Sequence, residues 1–501
     1  MKKYLTLLPL LFQLCFTAIG QPAVLHLHVA NGQSLNGSLF MPSQPAQTTQ
    51  ALVFNSSNTA TQAFQLTQPS FVQLFCYNPK NYSSPHLYYL FYLSPGDDLQ
   101  FNADTKAASF VCTVTGKGAS NNQSFLAAIE QVALDEYRGD TLPYRVLTVI
   151  NKAQTYRQNK LAEYVKMYKP TDTYISNWTK SLAYYACDAY YAFKENNKYG
   201  IGGAYERNYA AWQKPMDSLL TQLKLNNDGA LAAFRYQQFI RSFLSREKEH
   251  FETASWQHPA AFFKQWYKTG IAEGRKLFDA DPKNAVQEKI INRYFTGKTA
   301  EYLYAVLFND AITSSNPQNI PAIFARFKTK YPTSPYIGQF NQAVADIAEK
   351  EQRTLNSNMV FLPSNGKTFN TLGDVVAAMK GKTVLVDMWG TWCGPCREEI
   401  EKNSKAIRDH FTGSKLDYLY IANNDLENED KWKKLIAYFN MQGMHLLANQ
   451  QLTEDIMAKV KGDGFPTVFI IKKDGTIELS KTAYPIQRDV LINQLEDDLK
   501  E

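Results

Sequence analysis

Apolar and polar positions divide the 501-residue chain into three stretches of different period. From 21 to 118 the pattern is short and alternating. Leu25, Leu27 and Val29 interleave with His26 and His28, and apolar runs recur at 71–77, 87–93, 99–102 and 110–115. Period two over runs this short predicts half-buried strands. Asn31-Gly32 reads as a hairpin turn and Pro95-Gly96-Asp97 as a tight turn, so an all-β sandwich-like domain is expected here. From 119 to 352 apolar residues return every three or four positions, which predicts an all-α domain with helices at 125–134, 161–168, 178–193, 219–243 and 302–312. Asn197-Lys-Tyr-Gly-Ile-Gly-Gly203 is expected as a loop, and Pro259, Pro282, Pro317, Pro332 and Pro335 delimit further helices. No period is sustained long enough for a repeat array. From 353 to 501 the two patterns alternate. Strands at 384–388 and 416–421 are joined by a helix at 397–411. Helices at 432–439 and 452–460 precede a hairpin, 467–471 with 476–479 across Asp474-Gly475, and a last helix covers 488–499. That order predicts a C-terminal α/β domain with a mixed central sheet.

Residues 1–20 carry two lysines, an apolar run over 5–19 and the small residues Ala18 and Gly20, the layout of a secretory signal peptide cleaved before Gln21. Cys15 follows the bulky Leu14, where lipid attachment wants a small residue, so no lipid anchor is expected. The apolar run is short for a bilayer span, and no later stretch approaches it. The chain therefore reads as exported, to the periplasm. A net charge of +6 is small for this length and gives no case for nucleic acid. Export places Cys76, Cys112, Cys187, Cys393 and Cys396 where disulfides persist. Cys76 and Cys112 could pair or remain buried thiols, and Cys187 reads as a helix-core residue. His26 and His28 share a strand face that reads as solvated rather than metal-binding. Tyr184, Tyr185, Tyr190 and Tyr191 read as core packing rather than a ligand groove.

One stretch states a chemistry: an apolar strand ending in Asp387-Met-Trp-Gly-Thr-Trp-Cys-Gly-Pro-Cys396, followed by a helix. Two cysteines three apart at a strand-to-helix junction form a dithiol that can close into a small disulfide ring. The thiolate is the reactive form, and free N–H groups at a helix start favour it. Cys393 is expected at that terminus, facing solvent, as the nucleophile; Cys396, one turn in and more shielded, would resolve the mixed disulfide. Pro395 is tolerated in the first helical turn, where its missing N–H is not needed. Asp387 lies inside the apolar strand, where burial raises a carboxyl pKa and suits it to accept the proton of Cys396; a purely structural role is the alternative. No second Cys-x-x-Cys or Cys-x-x-His pair completes a zinc site, and Arg397 stands where a c-type haem needs His, so neither metal nor cofactor is expected.

These residues resemble the thioredoxin superfamily, specifically its extracytoplasmic TlpA-like branch. Val386-Asp-Met-Trp-Gly-Thr-Trp-Cys-Gly-Pro-Cys396 carries the resemblance, with Gly464-Phe-Pro-Thr-Val-Phe-Ile470 like the family's cis-proline segment and Lys473-Asp-Gly-Thr-Ile477 like its following turn. Asn365-Gly-Lys367 and Gly381-Lys382 are similar to the branch's lead-in, and Phe91-Tyr-Leu-Ser-Pro-Gly-Asp-Asp-Leu-Gln-Phe101 resembles the β domain often attached before it. The resemblance implies a thioredoxin-like fold over 353–501, a cis peptide at Phe465–Pro466 beside the dithiol, and Asp387 as the buried acid. With that cis proline, clients are expected to dock in extended form against Phe465 and Pro466, with Trp392 as an apolar wall and Gly394-Pro395 as a low ridge; the alternative is that Pro466 only keeps metal from the dithiol and the two upstream domains hold clients. Gly390, where the family usually has Ala, and the glycine-rich Lys461-Gly-Asp-Gly464 depart from the pattern.

The reading is an exported thiol–disulfide oxidoreductase whose partners are disulfide-bearing client proteins and an upstream thiol donor, which could itself be membrane-bound. Gly394-Pro395 between the cysteines matches the reducing members of the family, so a potential nearer about −270 mV than about −120 mV is expected. A disulfide isomerase is one alternative. Another is a partner-binding module, built from the β and helical domains, whose dithiol acts as a redox sensor.

Overall fold

The computed structural model describes residues 21–41, 45, 49–106, 109–123, 137, 139, 142–482 and 484–500. The predicted signal segment with Cys15 and the predicted helix at 125–134 lie outside the described residues. The chain forms two compact units, residues 1–250 with 294–299 and residues 251–293 with 300–501.

In the first unit, strands β1 (Ala23–Val29), β2 (Asn36–Phe40), β3 (Thr49–Leu52), β4 (Thr59–Phe64), β5 (Ser70–Tyr77), β6 (Leu87–Leu93), β7 (Asp98–Lys106) and β8 (Ser109–Lys117) build two four-stranded sheets, ordered β4-β1-β7-β8 and β3-β2-β5-β6. Alternation drives the packing: Leu25, Leu27 and Val29 of β1 join Leu74, Cys76, Phe91, Leu99 and Phe101 in one core. The expected hairpin at Asn31-Gly32 is corrected. β1 pairs with β4 and β7, whereas β2 pairs with β3 and β5. Asn31 is left-handed, φ 58°, and opens the short turn Gly32–Ser34, through which the chain changes sheets. The Phe54 ring would lie 2.9 Å from a Cβ at position 32, so this crossing needs glycine. Cys76 and Cys112 are free thiols, and His26 lies against Asp98 and Thr61 at the surface.

Helices Pro143–Tyr168, Asp172–Ala183, Tyr185–Ile201, Gly203–Arg207 and Tyr209–Thr221 continue this unit. The predicted loop at 197–203 is corrected: the helix runs on through Ile201, and only Gly202, φ 47° and ψ −123°, breaks it. The helix expected at 219–243 is two helices, because the chain between Thr221 and Phe234 turns away and its Asp228 carboxylate accepts from the N–H groups of Lys298 and Thr299. Tyr184, Tyr185 and Tyr190 are buried in the core.

In the second unit, helices such as Ile271–Ala280, Ile320–Lys330 and Tyr336–Glu351 precede a six-stranded sheet. Its strands are β9 (Met359–Phe361), β10 (Thr383–Trp389), β11 (Leu416–Ala422), β12 (Gly443–Leu447), β13 (Thr467–Ile471) and β14 (Ile477–Leu479), ordered β14-β13-β10-β11-β12-β9. β10 is central, parallel to β11 and antiparallel to β13, and both its faces are covered. Val384, Val386 and Met388 point into one core with Leu419, Ile421 and Phe469. Leu385 points into the other with Ile407, Val468, Ile470 and Leu491. Period two therefore puts Asp387 at a core position on the face of Leu385. Strands β9 and β12 and the helix Leu372–Ala378 were not predicted.

A candidate dithiol redox site

β10 ends at Trp389, and the chain turns through Gly390-Thr391-Trp392 into a helix beginning at Gly394. Cys393 caps that helix and Cys396 lies in its first turn. The two are joined in a disulfide, with Cα atoms 5.3 Å apart. The Cys396 N–H donates to Cys393 Sγ at 3.2 Å, so the sulfur takes one of the free N–H groups of the helix start. The expectation that Cys393 faces solvent is corrected: in the disulfide it is 3 % exposed and Cys396 0 %. As a cap, its sulfur turns back over the helix rather than outward.

The turn is fixed from the end of β11. Buried Asp425 accepts from Thr391 N–H at 2.7 Å and from Thr391 Oγ1 at 2.6 Å. Asn423, also buried, donates its backbone N–H to Trp389 O at 3.0 Å, and its own carbonyl accepts from Trp392 Nε1 at 3.0 Å. The indole thus lies over Gly390. A Cβ at position 390 would stand 2.5 Å from Trp392 Nε1, so the departure from Ala and the place of Trp392 are one feature. Sequence reasoning passed over Asn423 and Asp425; the available signal was a polar run directly after an apolar strand.

The proline segment arrives through strand register. Thr467 of β13 pairs with Met388 and Val468 with Asp387, so Pro466 is level with the end of β10 from which the dithiol turn departs. The Phe465–Pro466 peptide is cis. Trp392, 46 % exposed, meets Phe465 edge-to-face at 5.8 Å between ring centres. The glycine-rich approach is ordered: Lys461, φ 55°, terminates the helix Gln450–Val460, and Gly462 N–H donates to Met457 O at 3.0 Å.

Asp387 lines a cavity of about 30 Å³ with Leu385, Glu399, Asn403, Ser404, Tyr418, Tyr420 and Val468. That is room enough for a water molecule. Its Oδ1 has no hydrogen-bond partner among the described residues. Burial, reinforced by the nearby Glu399 carboxylate, pushes its pKa up to about 7. Glu399, not singled out from the sequence, is buried and accepts from Asn403 Nδ2 at 2.6 Å and from Ile486 N–H at 3.2 Å. Beyond it the helix widens into one π turn, Ile400–Ser404, and two residues of that turn, Asn403 and Ser404, line the cavity.

Basic residues gather on another side. Arg397 is 5 % exposed, and burial holds its pKa below the usual arginine range. Lys283 and Lys431 are exposed residues, yet their ammonium groups sit below the ordinary lysine range, through partial desolvation first and the Arg397 charge next. Among the described residues no cluster of His, Cys, Asp and Glu could hold a metal, and no helix is long and apolar enough to cross a membrane.

Residues 381–477 match a family model described as thioredoxin-like. Over 106 residues the chain is 27 % identical to the thioredoxin-like protein YneN of Bacillus subtilis, covering 20 % of this chain and 55 % of that one. The chain thus spans about half the length of this curated relative. Similar solved structures include the thioredoxin domain of a thiol-disulfide oxidoreductase from Bacteroides vulgatus, at 25 % identity over 25 % of this chain and 83 % of that one, TM-score 0.21. A thiol:disulfide interchange protein from Chlorobium tepidum is 20 % identical over 25 % of this chain and 83 % of its own, TM-score 0.19.

Proposed function

From the premise that residues 381–477 are a thioredoxin-like domain, we propose that the protein is an exported thiol–disulfide oxidoreductase that reduces protein disulfides in the periplasm. The observation that carries the reading is the Cys393–Cys396 disulfide, set at a helix start beside the proline segment. We divide the chain into a β-rich domain over 21–118, a helical domain over 119–352 and the redox domain over 353–501.

The reaction conserves two electrons. In the reduced protein Cys393 thiolate attacks one sulfur of a client disulfide; the client S–S bond breaks and a mixed disulfide forms. Cys396, deprotonated, then attacks Cys393 Sγ, closing the ring and releasing the client dithiol. Asp387, with a pKa near neutrality, is suited to take the Cys396 proton. An upstream thiol donor reduces the ring again. Clients dock in extended form along Phe465 and Pro466, with Trp392 as an apolar wall and Gly394-Pro395 as a low ridge.

The test is trapping. Cys396→Ala should accumulate covalent client complexes through Cys393, and the unsubstituted protein should turn over insulin disulfides with a thiol donor. A redox sensor would change its affinity for a partner on oxidation and would not turn over. Recovery of activity on scrambled, rather than merely oxidised, substrates would favour the isomerase alternative.

A further inference from the structure

Arg397 is a buried cation that the disulfide form leaves without a counter-ion. Its Nη1 donates to Thr391 O at 2.9 Å. Its Nε and Nη2 have no hydrogen-bond partner, and no carboxylate pairs with it, among the described residues. The acids on neighbouring elements are engaged elsewhere. Asp425 is held by Thr391, and Asp281 accepts from the N–H groups of Lys283, Asn284 and Ala285 and from Asn319 Nδ2. Lys283, from the helical part of the unit, and Lys431, from the helix Glu429–Tyr438, add positive charge. Burying an unpaired guanidinium is costly, so a compensating anion should form at another stage of the cycle.

The helix says which anion. Arg397 N–H donates to Cys393 O at 3.2 Å, the i to i−4 bond of the first turn. Cys393 is the cap of that helix, directly before Gly394. The guanidinium is anchored on Thr391, and its Nη2 stands 3.9 Å from where a Gly394 Cβ would be. It therefore spans the residues on either side of Trp392-Cys393.

We propose that Arg397 is the counter-ion of the Cys393 thiolate, a positioning residue that stabilises the reduced state, with Lys283 and Lys431 supplying the surrounding field. The inference rests on the oxidoreductase reading. When dithiothreitol reduces the ring, two electrons break the Cys393–Cys396 bond and dithiothreitol closes to its cyclic disulfide. One proton stays on Cys396, and the other goes to solvent because Cys393 remains a thiolate. A cation beside that thiolate lowers the Cys393 pKa and makes the ring easier to reduce.

The full-length protein is equilibrated with dithiothreitol buffers at pH 8, and the Cys393 pKa is read from thiolate absorbance in a Cys396→Ala background. An opposite charge within about 4–6 Å shifts a pKa by about one unit or more. Arg397→Gln should therefore raise the Cys393 pKa by about one unit and move the dithiothreitol equilibrium about tenfold toward the disulfide, about 30 mV. Arg397→Lys should restore most of the shift. The exposed pair Lys283→Gln with Lys431→Gln should shift the equilibrium in the same direction by about two- to threefold, and it tests the field if Arg397→Gln does not fold. Unchanged pKa and equilibrium in the folded variants overturn the proposal. Failure of the unsubstituted protein to reach reversible equilibrium with dithiothreitol overturns the oxidoreductase reading instead.

Discussion

Asp387→Asn isolates the energetic consequence of placing an acid in a core strand. The native carboxyl has a pKa of about 7 against an ordinary value of 3.8. The folded state therefore keeps its proton over a range in which the unfolded chain has lost it. Stability contributed at this site is intact below about pH 4 and falls as pH rises toward about 7. At about 1.4 kcal/mol per unit, the native protein forfeits about 2 kcal/mol at pH 5 and about 4 kcal/mol at pH 8. An asparagine has nearly the same shape and stays neutral, and the unpartnered Oδ1 position is polar in both proteins, so that part of the cost cancels. The variant should thus be more stable, by about 2 kcal/mol more at pH 8 than at pH 5. A chain of two compact units need not melt in one step, so a global midpoint is a poor probe. Hydrogen exchange of the β10 and β13 amides, corrected for intrinsic rates and measured on the disulfide form at both pH values, reads the local opening free energy. A gain equal at pH 5 and pH 8 would refute the burial argument. Slower release of trapped client in the same variant, with a shifted pH–rate profile, is expected if Asp387 also accepts the Cys396 proton; unchanged kinetics would leave it a structural residue.

Three further outcomes follow from the geometry. Brief alkylation of the reduced protein near neutral pH should label Cys393 ahead of Cys396, as read by peptide mass spectrometry, and the opposite order would exchange their roles. Gly390→Ala should displace the Trp392 indole and destabilise the redox domain by about 1–3 kcal/mol; unaltered exchange in β10 would mean that the indole moves aside freely. Asp425→Ala strips two buried donors of Thr391 of their acceptor and should cost about 2–4 kcal/mol, with loosening of the 390–393 turn. A loss below about 1 kcal/mol would show that the turn is held by other contacts.

What the sequence made legible was local. The dithiol, its strand, the proline segment and the Asp474-Gly475 hairpin are each written within a few residues, and the sheet assembles them as expected. Position 387 was readable because an acid inside an apolar strand stands out. Glu399, Arg397, Asn423 and Asp425 were not, because a polar or charged residue on a helix or after a strand is ordinarily solvated and only tertiary packing turns these inward. The Asn31-Gly32 turn misled for a related reason: the dipeptide fixes a left-handed turn, but whether the next strand pairs back or crosses to the facing sheet depends on Phe54 packing against Gly32. The loop predicted at 197–203 rested on three glycines, of which only Gly202 breaks the helix.

The helix that leaves the dithiol has two electrostatic faces. Arg397 and Glu399 are two residues apart, about 200° around the helix axis. Arg397 faces the Thr391 turn and Glu399 the Asp387 cavity. Cys393 caps this helix four residues before Arg397, and Cys396 lies in its first turn three residues before Glu399. A cation favours the thiolate and an acid pair favours the protonated thiol. Under the proposed mechanism, these two charges favour a thiolate at Cys393 and a protonated Cys396. Exchanging the two charges, Arg397→Glu with Glu399→Arg, should invert the order in which the cysteines are alkylated. If Cys393 still reacts first, its place at the helix start outweighs both side chains.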